Sequence, residues 1–169
     1  MEMNYTIVDS RLGRMLVAAT PRGICMVSFG SDDAVLLNAL EQEYPKAHIV
    51  PGDQRMTEWV AAMLAYLEGS SPILDLPLDV QATAFQRRVW EELRRIPYGE
   101  TRTYSQIARS IGSQAAVRAV GRACATNPVS VVTPCHRVLR SDGSLGGYRW
   151  GLERKKLLLE IEKGEHSQR

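Results

Sequence analysis

Residues 103–124 have the sequence TYSQIARSIGSQAAVRAVGRAC, and the organisation of the C-terminal half of the chain follows from them. Thr103 and Gln106 have the spacing of a capping box, which predicts that a helix begins here. Gly112 predicts the end of that helix, and residues 114–124 predict a second one. Two short helices around a turn that contains glycine are typical of a helix-turn-helix motif.

The second predicted helix has two different faces. Its polar face consists of residues spaced by four: Gln114, Arg118 and Arg122. Its apolar face holds Val117, Val120 and Cys124, so Cys124 is expected to be structural. Most of the other residues are alanine or glycine, which allow close approach to a narrow groove. An ordinary amphipathic helix with solvated arginines is the alternative that this spacing leaves open.

Charge is distributed unevenly along the chain. Residues 1–83 hold 5 Lys and Arg against 11 Asp and Glu, whereas residues 84–169 hold 16 against 8. No acidic residue lies from Thr101 to Ser141. Six arginines fall in that stretch: Arg102, Arg109, Arg118, Arg122, Arg137 and Arg140. Because a solvated surface usually mixes both signs, this pattern favours contact with nucleic acid.

The N-terminal half has the pattern of a small α/β domain. Three segments rich in β-prone residues predict strands: Asn4–Val8, Met15–Ala18 and Gly23–Phe29. Apolar residues at helical spacing predict two helices, at residues 35–44 and 59–67. Residues 69–79 have the composition of a connector, so we expect one domain at residues 1–79 and a second at residues 80–169.

Two further helices complete the predicted C-terminal domain. A capping box at Thr83 and Gln86 precedes an apolar stripe that ends before Pro97, and residues 152–165 predict a closing helix. The predicted fold is therefore a small α/β domain followed by a mostly helical domain with a helix-turn-helix.

The composition narrows the class of protein. A chain of 169 residues with 44% hydrophobic residues can bury one good core or two small ones. No apolar run has the length of a membrane span and the N-terminus lacks the layout of a signal peptide, so we expect a cytoplasmic protein without a membrane partner. The three cysteines, Cys25, Cys124 and Cys135, form no C-x-x-C pair, which argues against a disulfide framework and a four-ligand zinc site.

The segment NPVSVVTPCHRV, residues 127–138, places a cysteine directly before an imidazole and a guanidinium. Its β-branched run predicts a buried extended segment that ends at Cys135, with His136 and Arg137 directly after it. Cationic neighbours lower the pKa of a thiol, and the thiolate is the strong nucleophile. Adjacent residues of a strand point to opposite faces, so either a turn or a bridging water molecule is needed to connect His136 to Cys135, and a water molecule is the expected one. A buried, inert cysteine is the alternative.

These motifs together closely resemble the O6-alkylguanine-DNA alkyltransferases, in particular the bacterial ones and the C-terminal half of Ada proteins. The matching motifs are Asn127-Pro128, Pro134-Cys135-His136-Arg137-Val138, Arg118-Ala119-Val120-Gly121, and residues 99–104 and 147–151. The resemblance covers essentially the whole chain and is densest at residues 83–163. It implies a ribonuclease H-like N-terminal domain, a winged-helix-like helix-turn-helix, and irreversible single-turnover transfer of an alkyl group from O6-alkylguanine, and O4-alkylthymine, to Cys135.

The resemblance implies a role for individual residues. Cys135 accepts the alkyl group, His136 acts as the base through a water molecule, and Glu162 orients His136. Glu162 is chosen over Glu160 because the family pattern is Leu-Leu, two residues, then Glu. Tyr104 helps to rotate the damaged nucleotide out of the duplex and protonates the leaving base.

A DNA interface and a substrate pocket are implied as well. The helix-turn-helix lies in the minor groove of double-stranded DNA that contains alkylated guanine, Arg118 fills the gap left by the flipped nucleotide, and Asn127 ties the second helix to the active-site segment. The implied DNA-binding residues are Arg118, Tyr104, Gln114, Ala119, Arg122, Asn127 and Arg137. The implied pocket residues are Val138, Tyr148, Arg149, Trp150 and Ser130.

Two positions depart from the pattern of some relatives. Trp150 and Ser130 stand where those relatives have Gly and Pro, and a bulky indole is expected to narrow the pocket. Our hypothesis is that methyl adducts react well and benzyl adducts poorly. No cofactor or metal is expected, because Cys25 and His48 are the only soft ligands before residue 123. A monomer is the expected state.

Two other function classes are weighed against this one. An alkyltransferase-like protein that binds lesions without repairing them lacks the acceptor cysteine, whereas Cys135 is present. A cysteine hydrolase needs a histidine from a distant segment and an oxyanion hole, and no signature of either is found.

Overall fold

The structure is a computed structural model that describes residues 1–164. The chain divides into two compact units, the first ending at Val80 and the second beginning at Gln81. Within the described residues, no helix is both long and apolar enough to span a membrane. The same part of the chain contains no group of three or more His, Cys, Asp or Glu side chains placed to hold a metal ion.

The first unit is built on a four-stranded sheet. Its strands are β1 (Glu2–Ser10), β2 (Gly13–Thr20), β3 (Gly23–Gly30) and β4 (His48–Pro51). The order is β3-β2-β1-β4, with antiparallel pairing among the first three strands and parallel pairing between β1 and β4. The three predicted strands are confirmed. Strand β4 was not predicted because four residues carry too little periodicity to identify a strand.

Two helices accompany this sheet, as predicted. Helix α1 spans Asp33–Glu43 and helix α2 spans Gln54–Leu67, and the side chains of Asp32 and Asp53 cap their first turns. A core of buried side chains joins α1 to the sheet: Met3, Leu16, Ala18, Cys25, Met26, Leu36 and Leu40. Cys25 is 1% exposed in this core, and burial raises the pKa of its thiol to about 12, as expected for an inert cysteine.

Over its described residues, 81–164, the second unit contains four α-helices and two very short strands. These elements are α3 (Ala84–Arg94), β5 (Arg102–Thr103), α4 (Tyr104–Ser110), α5 (Val117–Ala125), β6 (Val138–Leu139) and α6 (Leu152–Lys163). Both predicted capping boxes are present, with Thr83 bonded to Gln86 and Thr103 bonded to Gln106. The predicted second helix of the helix-turn-helix begins later than expected, because Gln114–Ala116 form a 3-10 turn. The expected end of the closing helix at Glu165 lies outside the described residues.

Strands β5 and β6 pair in parallel, with Arg102 opposite Val138 and Thr103 opposite Leu139. Each strand has two residues, so no alternating pattern exists from which to predict it. The pairing brings the start of α4 next to the residues that follow the Cys-His-Arg motif. It therefore places Tyr104 near the candidate nucleophile.

We expect the substitution Gly23→Ala to destabilise the first unit. A methyl group built on Gly23 would lie 2.6 Å from the backbone carbonyl carbon and oxygen of Pro77. Because both atoms belong to the backbone, a change of side-chain rotamer cannot relieve this clash. Overpacking of this kind costs about 1–3 kcal/mol. Urea unfolding followed by circular dichroism measures the loss.

Gly121→Ala is the control for this substitution. A methyl group built on Gly121 meets nothing within 4 Å among the described residues, and the position lies inside helix α5. This variant should therefore gain about 0.5–1 kcal/mol from the lower entropy of its unfolded chain. Equal stabilities for Gly23→Ala and the unmodified protein would contradict the packing argument.

Candidate active site

Cys135 lies at the end of a compact turn, so the prediction of an extended segment before it was wrong. The backbone N–H of Thr133 donates to Val129 O at 3.0 Å, and that of Cys135 donates to Thr133 O at 2.9 Å. Pro134, with φ −83° and ψ 66°, has the angles of an inverse γ-turn. Residues 129–138 are nevertheless all buried, as predicted. The β-branched run was sufficient to predict that this segment is buried, but it did not indicate that the backbone turns.

The turn contains a strained residue four positions before the cysteine. Val131 has a φ of +76°, a left-handed conformation that a β-branched residue strongly disfavours. Strain of this size persists only where surrounding contacts hold it. The side chain of Asn127 supplies several of those contacts.

Asn127 connects the end of helix α5 to the cysteine. Its Oδ1 accepts a hydrogen bond from the N–H of Val129 at 3.0 Å, and its Nδ2 donates to Thr133 O at 2.8 Å. The same Nδ2 lies 3.4 Å from Sγ of Cys135. Asn127 is 1% exposed, so it is placed to organise the turn and the thiol together, and it is too deeply buried to present its amide to DNA.

His136 is held by a carboxylate from the last helix. Its Nε2 lies 2.6 Å from Oε2 of Glu162, and His136 is completely buried. Burial lowers the pKa of His136 below its ordinary value, more strongly than the neighbouring Glu162 raises it. In the neutral ring with Nε2 donating to Glu162, Nδ1 is unprotonated, and it has no hydrogen-bond partner among residues 1–164. The ring is thus arranged as a base.

Glu162 also binds Arg137, so the prediction that Arg137 contacts DNA was wrong. Arg137 is 7% exposed, with Nε 2.8 Å from Oε1 of Glu162 and Nη2 3.0 Å from Oε2. Its Nη1 donates to Ile96 O at 2.7 Å. Local sequence gave no sign of this pairing, because the partner carboxylate lies 25 residues away.

The pKa of Cys135 is raised, although the sequence favoured a lowered one. Burial of the thiol is the largest cause, since a buried thiolate loses its hydration. The hydrogen bond from Asn127 opposes it, followed by the charges of Lys155 and Arg149. The thiol is therefore protonated at rest and needs a base to become a nucleophile.

A cavity of about 440 Å³ opens over Cys135. Its wall is formed by Tyr104, Val117, Gly121, Cys124, Ala125, Cys135, Arg140, Gly147, Tyr148 and Arg149. Tyr148 and Arg149 thus lie where the pocket prediction puts them. The expectation that Cys124 is purely structural was incomplete, because the apolar face of α5 borders this cavity.

Three predicted pocket residues lie outside the wall of this cavity. Val138 is fully buried in β6, and Ser130 is fully buried in the turn before Cys135. The indole N–H of Trp150 donates to the Ser130 hydroxyl at 2.7 Å, and the Arg149 guanidinium lies 4.7 Å from the centre of the indole ring. The indole therefore supports Arg149, and the expected preference for methyl over benzyl adducts stays a prediction.

Helix α5 exposes the polar face that its spacing predicted. Arg118 and Arg122 are exposed, as is Gln114 in the preceding turn, and Ala119 is half-buried between them. Val117 and Gly121, on the other side of α5, line the cavity. One short helix thus has a cationic outer face and an inner face at the site of Cys135.

Lys155 is the residue that sequence reasoning missed. It is completely buried, and its ammonium donates to Val138 O at 2.7 Å, to Gly147 O at 3.1 Å and to Leu145 O. Burial lowers its pKa to about 8. Its position offered a signal, because Lys155 lies one turn before Leu158, on the inward face of the closing helix. The ammonium holds the loop that forms one wall of the cavity.

Two family models match this chain. The ribonuclease-like domain of 6-O-methylguanine DNA methyltransferase matches residues 3–80, and the DNA binding domain of 6-O-methylguanine DNA methyltransferase matches residues 84–164. The crystal structure of Mycobacterium tuberculosis OGT in complex with DNA superposes with a TM-score of 0.82 at 35% identity, covering 97% of this chain and 94% of that one.

Sequence relatives agree with these matches. The methylated-DNA–protein-cysteine methyltransferase of Mycobacterium tuberculosis is 39% identical over 95% of this chain and 93% of its own length. The inducible enzyme of that name from Bacillus subtilis is 40% identical over 90% of this chain and 86% of its own length. The bifunctional transcriptional activator/DNA repair enzyme Ada of Escherichia coli is 48% identical over 96% of this chain, which spans only 46% of that protein.

A ribonuclease-like α/β unit, followed by a helical DNA-binding unit, is the domain organisation of the DNA methyltransferases that these two family models describe. The chain belongs to the 6-O-methylguanine DNA methyltransferase family. The resemblance recognised from its motifs is confirmed, and so is the predicted fold class.

We expect Glu162→Gln to destabilise the second unit strongly. The substitution removes the Glu162 charge from its ion pair with the buried Arg137 guanidinium, and breaking a buried pair from one side costs about 3–5 kcal/mol. Glu160→Gln, two residues earlier on the same helix, should change stability by less than about 0.5 kcal/mol. Chemical denaturation of both variants measures the difference. Similar stabilities would show that Glu162 is not the counter-charge of Arg137.

Lys155 should give the protein a measurable pH dependence. Its pKa is about 8 in the folded chain and near 10.5 when unfolded, so between these values the unfolded chain holds a proton that the folded chain has lost. Stability of the unmodified protein, measured relative to Lys155→Met, should therefore rise with pH in this window, by at most about 1.4 kcal/mol per unit. Urea unfolding of both proteins across the window measures it. If the difference in stability between the two proteins does not change with pH, Lys155 keeps an ordinary pKa.

Proposed function

We propose that this protein repairs DNA by transferring the methyl group of O6-methylguanine irreversibly to Cys135. The observation that carries the proposal is a buried thiol beneath an open cavity, followed in sequence by an imidazole whose Nδ1 is available and whose Nε2 is fixed by Glu162. This is the arrangement of nucleophile, base and orienting carboxylate that nucleophilic transfer needs. Membership of the methyltransferase family supports the same reaction.

The pKa values of the site indicate which groups donate and accept protons in the proposed reaction. The thiol proton passes to His136 through a water molecule, the Cys135 sulfur forms a bond to the methyl carbon, and the bond from that carbon to O6 breaks. Burial raises the pKa of Tyr104 to about 12, so its hydroxyl stays protonated and can donate to the leaving guanine. Tyr104 lines the same cavity as Cys135, as that role requires.

The product limits each molecule to one reaction. A thioether at Cys135 has no good leaving group, so the cysteine is not regenerated. We propose a stoichiometric protein that acts as a monomer without cofactor or metal. O4-alkylthymine, which also presents an alkylated oxygen, is proposed as a second substrate.

DNA contact is assigned to helix α5. Its exposed arginines Arg118 and Arg122 face away from the cavity while its inner side forms part of the cavity wall. A helix in the minor groove can therefore hold the backbone with one side and receive a flipped base beside the other, with Arg118 taking the place of the base in the stack. The Mycobacterium tuberculosis relative was crystallised in complex with DNA, which supports DNA binding by this chain. All of these residues lie in the second unit, which we propose as the alkyltransferase and DNA-binding domain.

Intact-mass and peptide mass spectrometry test the proposal. After incubation with a duplex oligonucleotide that carries one O6-methylguanine, we expect one methyl group per protein molecule, on the peptide that contains Cys135. Cys135→Ser should gain none while still binding the duplex, and Cys124→Ser should be methylated at Cys135. Unmethylated protein bound to DNA would indicate a lesion-binding protein, and many turnovers per molecule would indicate a true catalyst.

A further inference from the structure

Arg140 is a cation at the cavity to which the proposed reaction assigns no role. It directly follows β6, and Tyr104 directly follows β5. Because Thr103 pairs with Leu139 in parallel, the next residues of the two strands, Tyr104 and Arg140, lie side by side. Both line the cavity that contains Cys135.

The two side chains are packed around a glycine. A methyl group built on Gly146 would lie 3.0 Å from the Tyr104 hydroxyl and 3.4 Å from Cγ of Arg140. The stem of Arg140 is thus fixed next to Tyr104 by the β5–β6 pairing and by the Gly146 turn. Its position at the cavity is a consequence of the fold.

Arg140 forms no salt bridge within residues 1–164, although its charge adds to the hydrogen bonds from Ser144 in lowering the pKa of Asp142. Arg140 is exposed, and its guanidinium forms no hydrogen bond or ion pair within residues 1–164. The carboxylate of Asp142, two residues later, accepts from the N–H of Ser144 at 2.9 Å and from its hydroxyl at 2.7 Å. By contrast, Arg149 lies over Trp150, 4.7 Å from the ring centre. Arg140 is therefore the cation of the cavity wall that is placed to bind an anion.

A nucleotide that enters this cavity brings such an anion. Its base can fill the cavity, but its phosphates stay at the mouth, because burying their charge without a partner is costly. A guanidinium matches a phosphate with two parallel hydrogen bonds. We propose that Arg140 binds the backbone phosphate beside the flipped nucleotide and so holds the damaged base over Cys135. This inference rests on the proposed function and makes Arg140 a positioning residue.

Two substrates separate this role from others. One is a duplex oligonucleotide with a single O6-methylguanine, and the other is the free base O6-methylguanine, which has no phosphate. Arg140→Ala should slow methylation of Cys135 by the duplex about 10-fold or more when DNA is limiting. Methylation by the free base should change by less than about twofold. Arg140→Lys should give an intermediate rate with the duplex, because it keeps the charge and loses the two-pronged geometry.

The matched control is Arg87→Ala, which removes the same charge from an exposed position of α3 away from the cavity. It should react at the rate of the unmodified protein with both substrates. The dependence of duplex affinity on salt provides a second readout, because losing one phosphate contact lowers the slope of log affinity against log salt by about 1. Arg140→Ala should show this decrease and Arg87→Ala should not.

Three results would overturn the proposal. If Arg140→Ala slows methylation of Cys135 equally with the duplex and with the free base, Arg140 acts through Tyr104 or the thiol. A duplex rate equal to that of Arg87→Ala would mean that no phosphate is held, as would an unchanged salt slope. If the unmodified protein methylates Cys135 with neither substrate, the proposed function fails, and the salt slope still decides whether Arg140 contacts the backbone.

Discussion

The carboxylate of Glu162 joins the parts of the second unit that carry its chemistry. It contacts His136 at 2.6 Å and Arg137 at 2.8 Å, and it accepts from the backbone N–H of Gly99 at 3.3 Å. Helix α6, the turn after Cys135 and the loop after α3 are thereby connected through one buried group. Burial, helped to a smaller degree by the charge of Arg137, outweighs the effect of this carboxylate, so the neighbouring imidazole remains uncharged and can serve as a base. The ion pair between Glu162 and Arg137 thus supports the packing of the site, and burial sets the protonation state of its base.

Burial protects the Cys135 thiol, as the single reaction proposed for it requires. Its pKa is raised, so little thiolate is present to meet oxidants or soluble alkylating agents. The lowered pKa of His136 keeps the base free of a proton at neutral pH, yet makes it a weak acceptor. Proton transfer from thiol to imidazole is therefore unfavourable without substrate. The thiol therefore attacks only when an electrophilic carbon is already held in the cavity. Bond formation to that carbon then consumes the thiolate as it forms, which makes the proton transfer favourable overall.

Local patterns were sufficient to predict the helices, but the contacts at the site depend on distant residues. The capping boxes at Thr83 and Thr103 involve partners three residues away, and both are present. Arg137 was misassigned because its carboxylate partner lies 25 residues further along the chain. Lys155 was missed because its acceptors are backbone oxygens, which no side-chain pattern reveals. The geometry of Cys135 was also misjudged, since a β-branched run indicates burial and leaves the path of a turn undetermined.

The cationic side chains near Cys135 differ in the groups that balance their positive charge. Arg137 forms an ion pair with the carboxylate of Glu162. The acceptors of Lys155 are carbonyl oxygens, which carry no net charge, so its ammonium still lowers the pKa of Cys135, as does the guanidinium of Arg149. The proposed attack requires a thiolate and releases a guanine on which negative charge develops, and the same positive potential stabilises both charges. The fold thus uses the Arg137–Glu162 ion pair to hold the base, and within residues 1–164 it keeps Lys155 and Arg149 out of salt bridges, near the atoms on which negative charge develops in the proposed reaction.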